Sequence, residues 1–198
     1  MLGWAAGCAS QRSTTMRIKL RAVGAGDSSE MREAGKAGTP NIKLRSHLQP
    51  GDIGYLVFLH GTLYAAEQGW DHTFEAYVAG PLAEFAKFQG ERERIWIVER
   101  NGEVAGSIAI VEAADNKAQL RWLLLHPDLR GLGIGRLLIE EALSFCRESR
   151  YSLVFLWTVS ALADAAKLYQ AAGFRLTEEA ARELWGTTVT EQRYDLIL

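Results

Sequence analysis

Between Leu123 and Leu138 the chain reads LLLHPDLRGLGIGRLL. An apolar run passes into Arg130-Gly131-Leu132-Gly133-Ile134-Gly135, and helical apolar spacing opens at once. Glycines let a main chain approach a ligand closely. Successive backbone N–H groups that lead into the unsatisfied first turn of a helix receive phosphate, and the positive end of the helix dipole adds to this. Arg130 and Arg136 flank the loop and would screen further negative charge. Residue types and spacing therefore argue for a phosphate-bearing ligand. A P-loop would carry Lys-Ser or Lys-Thr after its last glycine, and Arg136-Leu137 stand there instead. A dinucleotide fingerprint needs G-x-G-x-x-G, whereas these glycines alternate as G-x-G-x-G. A purely structural glycine loop is the remaining alternative.

The elements that must position this loop can be read from periodicity and breakers. Residues 1–40 show no sustained period and are rich in Gly, Ala, Ser and Thr. They read as a flexible tail, in which Met16 or Met31 would serve equally well as a start. Structure is expected from Asn41, with a strand over Ile42 to Leu48 and a helix N-capped by Asp52 that runs to Gln68. On that helix Ile53, Leu56, Val57, His60, Leu63, Tyr64 and Glu67 share one face at spacings of three and four. A second helix spans His72 to Phe88, with Phe74, Tyr77, Val78, Leu82 and Phe85 inward. Strands follow at Arg94 to Glu99, Val104 to Glu112 and Ala118 to His126, joined by turns at Asn101-Gly102 and Asp115-Asn116. Behind the glycine loop come a helix to Arg147, a strand at Leu153 to Thr158, and a helix at Ala161 to Ala172 that Gly173 ends. Strands at Phe174 to Thr177 and Thr188 to Ile197 close the chain. The order β-α-α-β-β-β-α-β-α-β-β specifies one mixed α/β domain over 41–198, with an antiparallel meander before a β-α-β crossover.

Composition removes other classes. The 198 residues are 48% hydrophobic and 23% charged, with a formal net charge of −2. One ordinary core is affordable, and no basic excess suggests nucleic acid as the main ligand. No run nears the ~18 apolar residues of a membrane span. Ala6-Gly7-Cys8 loosely resembles a lipoprotein cleavage site, but no basic region precedes it and the apolar stretch is short. The two cysteines, Cys8 and Cys146, form no metal or redox motif, and a cytoplasmic protein is expected. His47, His60, His72 and His126 fall in separate elements without ligand spacing, so no metal is expected.

Arg130 to Gly135 resembles the Q/R-x-x-G-x-G/A signature of the GNAT acetyltransferases, with His126-Pro127 and Leu137-Leu138 similar to the usual flanks. Ala165, Leu168-Tyr169 and Gly173-Phe174 resemble the second signature of that family, A-x-x-L-Y-x-x-x-G-F. The likeness covers Asn41 to Leu198. More narrowly, HGTLYAAEQGWDHTFEAYV and LWTVSALADAAKLYQAAGF are similar to the acetyltransferase half of bacterial proteins in which a MarR-type winged helix precedes such a domain. No such domain fits in residues 1–40, so DNA binding is not carried over. The resemblance implies a central mixed, mostly antiparallel sheet, splayed between two parallel central strands and flanked by helices. It implies acetyl-CoA as co-substrate, with Leu123 and Leu125 meeting the pantetheine arm. Arg130, Gly131, Leu132, Gly133, Ile134, Gly135 and Arg136 would hold the pyrophosphate. It implies Tyr169 near the thioester sulfur as general acid, a role that suits a phenol of pKa about 10 beside a thiolate whose free pKa is about 8.5. Many members carry Asn seven positions before that tyrosine; Leu162 stands here, which removes one polar contact to the cofactor. Homodimers are common in the superfamily.

The base is the least defined part. Gln119, Arg121 and Leu123 are expected on one face of the central strand, and neither of the polar two takes a proton at neutral pH. Glu67, with His60 and Tyr64 on the same helix face and Trp70-Asp71 beyond, forms the better cluster, and in such a fold that helix lines the acceptor site. Each has a plainer reading as well: a satisfied half-buried histidine, a surface glutamate, an aspartate capping the second helix. Arg121 could hold a carboxylate in bidentate fashion, and with Glu67 or Asp71 attracting an amine the acceptor would be an amino acid or related zwitterion. The expected function is N-acetylation of a small-molecule primary amine; an acyl-CoA sensor without turnover is the alternative from another class.

Overall fold

Three tight turns fold the chain back on itself, with Asn101-Gly102, Asp115-Asn116 and Trp185-Gly186 at their centres. All six residues have positive φ, from 53° to 94°. That is the type I′ requirement, whose twist matches that of the strands it joins. The protein is described here by a computed structural model that covers residues 15–18 and 41–198. Its strands are β1 (Thr15–Ile18), β2 (Ile42–Arg45), β3 (Arg94–Arg100), β4 (Glu103–Ala113), β5 (Lys117–Leu125), β6 (Leu153–Val159), β7 (Arg175–Leu184) and β8 (Thr187–Ile197). Its helices are α1 (Asp52–Gln68), α2 (Thr73–Phe88), α3 (Ile134–Glu148) and α4 (Ala163–Ala171). The strands form one sheet in the order β1-β2-β3-β4-β5-β6-β8-β7. Every pairing is antiparallel except β5 with β6, whose crossover is α3. The mixed α/β fold read from the sequence is the observed one. β1 falls within the stretch read as a tail and pairs with β2 from Thr15↔Arg45 to Ile18↔Ile42. The rest of 1–40, with Cys8 and Met31, lies outside the described residues.

Two features of the sheet set up the site. β5 and β6 pair only at Lys117↔Leu153, Ala118↔Val154 and Gln119↔Phe155, and beyond this they diverge. The second feature is a bulge in β5. The register with β4 slips between Ser107 and Ala109, Trp122 takes φ 49°, and the buried Ser107 hydroxyl donates to the Trp122 carbonyl at 2.7 Å. A bulge adds one residue to a strand and so shifts its side-chain alternation. Leu120 packs in the core under α3 and α4, and Leu123 and Leu125 rejoin that face, while Trp122 packs with α1 and α2. The expectation that Leu123 shares a face with Gln119 and Arg121 is therefore corrected: the bulge lies between them.

Each face of the sheet carries its own core. Under α3 and α4 lie Ile108, Leu138, Ile139, Leu156 and the buried Cys146, whose thiol is pushed up to about 12 by desolvation. Under α1 and α2 lie Leu56, Phe74, Leu82, Ile95 and Ile97. An ion cluster ties α1 to the sheet. Arg45 is 3% exposed and makes paired bonds to Asp52 at 2.7 Å, and its Nε meets Glu99 at 2.7 Å. Asp52 is thus not the N-cap; Gly51, at φ 97°, holds that position, and the Asp52 carboxylate is spent on Arg45 and the Gln49 N–H. β7 is also longer than the Phe174 to Thr177 stretch expected. It is an edge strand exposed on both faces, so it carries no apolar alternation to read.

Candidate active site

The glycine loop lies where β5 hands over to α3. Gly131 (φ 74°) and Gly133 (φ 79°) both need the left-handed region. No atom lies within 4 Å of where a side chain would begin on either, so the loop offers bare backbone to an open groove. Gly133 is the N-cap of α3 and no side chain caps that end. Gly135 has a different constraint: a Cβ there would meet Leu168 Cδ2 of α4 at 3.0 Å, so a side chain would have to press that leucine aside. Leu132 is exposed, and Ile134 is buried as the first anchor of α3. The groove has a volume of about 650 Å³ and is lined by Leu123, Leu124 and Leu125, this loop, and the start of α4 at Ala163 to Ala165. Because β6 has turned away, Leu123 to Leu125 have no strand partner on the groove side. An extended ligand with an amide-bearing arm and a phosphate end suits that surface.

Arg130 is held by two partners. Its Nε donates to the Leu125 carbonyl at 3.2 Å, and its guanidinium meets Glu67 of α1 at 2.8 Å. Glu67 therefore lines the groove beside the glycine loop, and it lines no part of the cavity described next. Arg136 also lines the groove, mostly exposed, at 3.6 Å from Glu140.

On the other side of the splay lies a smaller cavity of about 110 Å³. Aromatic rings make much of its wall. Tyr64 stacks on Trp70 at 4.8 Å, and Trp185 reaches Trp70 at 4.3 Å, Phe74 at 4.9 Å and Tyr77 at 5.4 Å. Pairs of this kind are worth about 0.5–1.5 kcal/mol beyond their area. They hold Trp185 at φ 53°, a conformation that bulky residues rarely take. The turn is further fixed by the Asp71 N–H, which donates to the Trp185 carbonyl at 3.0 Å. The Asp71 carboxylate accepts from the Thr73 N–H at 2.9 Å and from its hydroxyl, which holds its pKa below the usual range. Asp71 is exposed and lines the entry to α2, not the cavity.

His60, Tyr64, Trp70, Arg121 and Tyr169 do come together there. His60 is 3% exposed, and its Nδ1 bonds the Leu56 carbonyl at 2.8 Å, which assigns the proton to that nitrogen. Burial pushes its pKa down to about 4, so the ring is neutral at physiological pH. Burial pushes the Tyr64 phenol up to about 12, against a smaller opposite pull from Arg130. Burial, with Tyr64 nearby, raises Tyr169 well above the ordinary tyrosine range. Tyr169 is packed against Phe174 and Tyr194 and stays a proton donor. Groove and cavity share Tyr64, Leu123, Leu162 and Ala165 as common wall. Leu162, in place of the family asparagine, is the N-cap of α4 at this junction and supplies no side-chain hydrogen bond.

Sequence reasoning missed Glu191 and Trp185, both in the cavity wall. Trp185-Gly186 was legible as a turn had the strand before it been extended. Glu191 sits two residues from the buried Val189 on β8, and alternation from that valine would have placed it inward. Among the described residues no group of His, Cys, Asp and Glu gathers to hold a metal, and no helix is long and apolar enough to cross a membrane.

The comparisons agree with this geometry. The profile of the Acetyltransferase (GNAT) family matches residues 62–174, which run from α1 through the glycine loop to Phe174. An uncharacterized N-acetyltransferase of Schizosaccharomyces pombe is 31% identical over 118 residues, covering 58% of this chain and 72% of that protein. The N-acetylaspartate synthetase of Danio rerio is 33% identical over 85 residues, covering 42% of this chain and 30% of that one. Apart from the yeast protein, the chain spans between 30% and 59% of the curated relatives it matches. In structure, an acetyltransferase from Streptococcus agalactiae superposes with a TM-score of 0.64 over 79% of this chain and 98% of its own, at 20% identity. With an uncapped glycine loop beside splayed parallel strands and a family match over that same stretch, the chain belongs to the GNAT acetyltransferase family and is an acyltransferase.

Proposed function

We propose that this protein transfers an acetyl group from acetyl-CoA directly to the primary amine of a small molecule, of the amino acid or related zwitterion class. The observation that carries the reading is the shared wall of groove and cavity, which lets a thioester and an amine meet at the β5–β6 splay. Acetyl-CoA, when bound, supplies the activated acyl group. Gly131, Gly133 and the first turn of α3 receive its pyrophosphate, Arg130 and Arg136 add positive charge, and Leu123 and Leu125 lie along its arm. The acceptor loses a proton to solvent and attacks as a neutral amine. As the C–N bond forms and the C–S bond breaks, Tyr169, the general acid, gives a proton to the departing sulfur, and the proton shed by the acylated nitrogen restores the phenol. Tyr64, Trp70 and the neutral His60 shape a low-dielectric acceptor cavity, and Arg121 holds the carboxylate of the acceptor. Glu67 serves the donor side by holding Arg130 over the groove, which is the role its ion pair supports. The resemblance to the catalytic half of MarR-type fusions carries no DNA-binding role into this reading, which calls for no metal, nucleic acid or membrane.

The test is calorimetric titration with acetyl-CoA of the wild type beside a Gly133→Glu, Gly135→Glu double variant. Saturable binding by the wild type alone supports the donor site and leads to thiol-release assays with amino acids. No binding to the wild type ends the reading.

A further inference from the structure

We infer that Glu191 on β8 is the anchor for the amino group of the acceptor, which docks as an ammonium and sheds a proton to solvent before attack, set on the opposite arm of the splay from Arg121. The inference rests on the acetyltransferase reading above and assigns the second of two charges. Among the described residues that line the acceptor cavity, Glu191 is the one carboxylate and Arg121 the one permanent cation. Arg121 lies on β5; Glu191 is registered with Val159 at the end of β6, beyond the point where β5 and β6 part.

Both charges are left for a ligand. Arg121 has no carboxylate within 4.0 Å among the described residues; its guanidinium rests over the Trp122 ring at 5.0 Å, and desolvation lowers its pKa. A desolvated cation without a counter-charge is costly, and a carboxylate on the ligand relieves that cost. Glu191 has one loose partner, Arg182 of β7 at 3.7 Å, whose side chain is 58% exposed while that of Glu191 is 24% exposed. An exposed pair at that separation contributes little. One positive and one negative group, in a small cavity walled by Tyr64, Trp70, Tyr77 and Trp185, match a zwitterion with an apolar or aromatic side chain.

The test uses the full-length protein saturated with CoA, which permits binding without turnover, and three probes: phenethylamine, 3-phenylpropanoate and L-phenylalanine. Glu191→Gln is expected to weaken phenethylamine and L-phenylalanine about tenfold or more and to leave 3-phenylpropanoate unchanged. Arg121→Met is expected to do the reverse for the two half-ligands and to weaken L-phenylalanine. Arg182→Ala, which frees Glu191, is expected to tighten phenethylamine. In thiol release from acetyl-CoA, Glu191→Gln raises KM for the amine far more than it lowers kcat, while its thermal unfolding matches that of the wild type. Equal loss of all three probes, no loss of any, or no binding of the three to the CoA-saturated wild type overturns the assignment. Failure of CoA itself to bind is a different result and strikes the acetyltransferase reading instead.

Discussion

The glycine-loop groove and the aromatic cavity, proposed above as the donor and acceptor sites, meet at the same gap in the sheet but are built in opposite ways. The groove comes largely from one continuous stretch, Leu123 to Arg136, with α4 closing it and backbone as its main instrument. The cavity is gathered from α1, α2, β5, β6, α4, the β7–β8 turn and β8, and side chains are its instrument. A backbone site tolerates any side chain that keeps the torsions, so its sequence reduces to glycines. A side-chain site assembled from seven elements leaves no local pattern. The comparison teaches that, on the proposed reading, donor binding is written into one local stretch of backbone, whereas acceptor binding depends on side chains gathered from across the fold.

The sharpest way to break this contrast is to put side chains into the backbone site. Gly133→Glu with Gly135→Glu places two carboxylates at the positive end of α3, strains φ 79° by about 1–2 kcal/mol, and presses on Leu168. Affinity for acetyl-CoA should fall by more than about a thousandfold, and calorimetry that found less than a tenfold loss would remove the loop from the site.

The next effect belongs to the cavity and is read as stability. His60 titrates near 6.5 in the unfolded chain and about 4 when folded. The unfolded state therefore binds the proton more tightly. Stability is complete above pH 6.5, is lost as pH falls through the window from 6.5 to 4, and levels off below it. The loss attributable to His60 is about 3 kcal/mol. Denaturant unfolding at pH 7 and pH 4 should show a gap between the two that is smaller by about that amount in His60→Met.

Tyr169→Phe is expected to lower kcat about a hundredfold while acetyl-CoA binds as before; an unchanged kcat would reduce Tyr169 to a packing residue of the Phe174–Tyr194 cluster. Trp185→Ala removes the ring that meets Trp70, Phe74 and Tyr77. It should raise KM for the acceptor about tenfold, the worth of one or two aromatic pairs, with acetyl-CoA binding unaffected. The smallest effect is expected for Glu67→Gln, about a threefold loss of acetyl-CoA affinity at constant kcat, as suits a partly exposed pair with Arg130. A large fall in kcat would return Glu67 to the acceptor chemistry.

Legibility followed the same division. Helices with strong periodicity and hairpins with Asn-Gly or Asp-Asn turns were readable to within a residue or two, since local physics fixes them. The glycine loop was readable because few other jobs need three alternating glycines ahead of a helix. The acceptor cavity was partly misread for three physical reasons. β7 is solvated on both faces, so neither it nor Trp185 announced itself. Glu67 obeys the helix face it was assigned to, but the last turn of α1 carries it to Arg130. The β5 bulge breaks the alternation on which Leu123 was grouped with Arg121. No local pattern marks a bulge at a tryptophan, and the Ser107–Trp122 bond that accompanies it joins residues far apart in sequence.

That bulge has a consequence for how the enzyme can change. Upstream of Trp122 the odd-numbered Gln119 and Arg121 line the aromatic cavity, and downstream Leu123 and Leu125 turn toward the core under α3 and the groove. One torsion thus splits a nine-residue strand into two independently editable halves. On the proposed reading, substitutions at Gln119 and Arg121 would retune the acceptor without disturbing Leu123 and Leu125. Removing the one extra residue at the bulge would restore regular alternation and leave each set on its face, whereas a one-residue insertion or deletion elsewhere in β5 would turn one set over, so length changes there should be far rarer than substitutions.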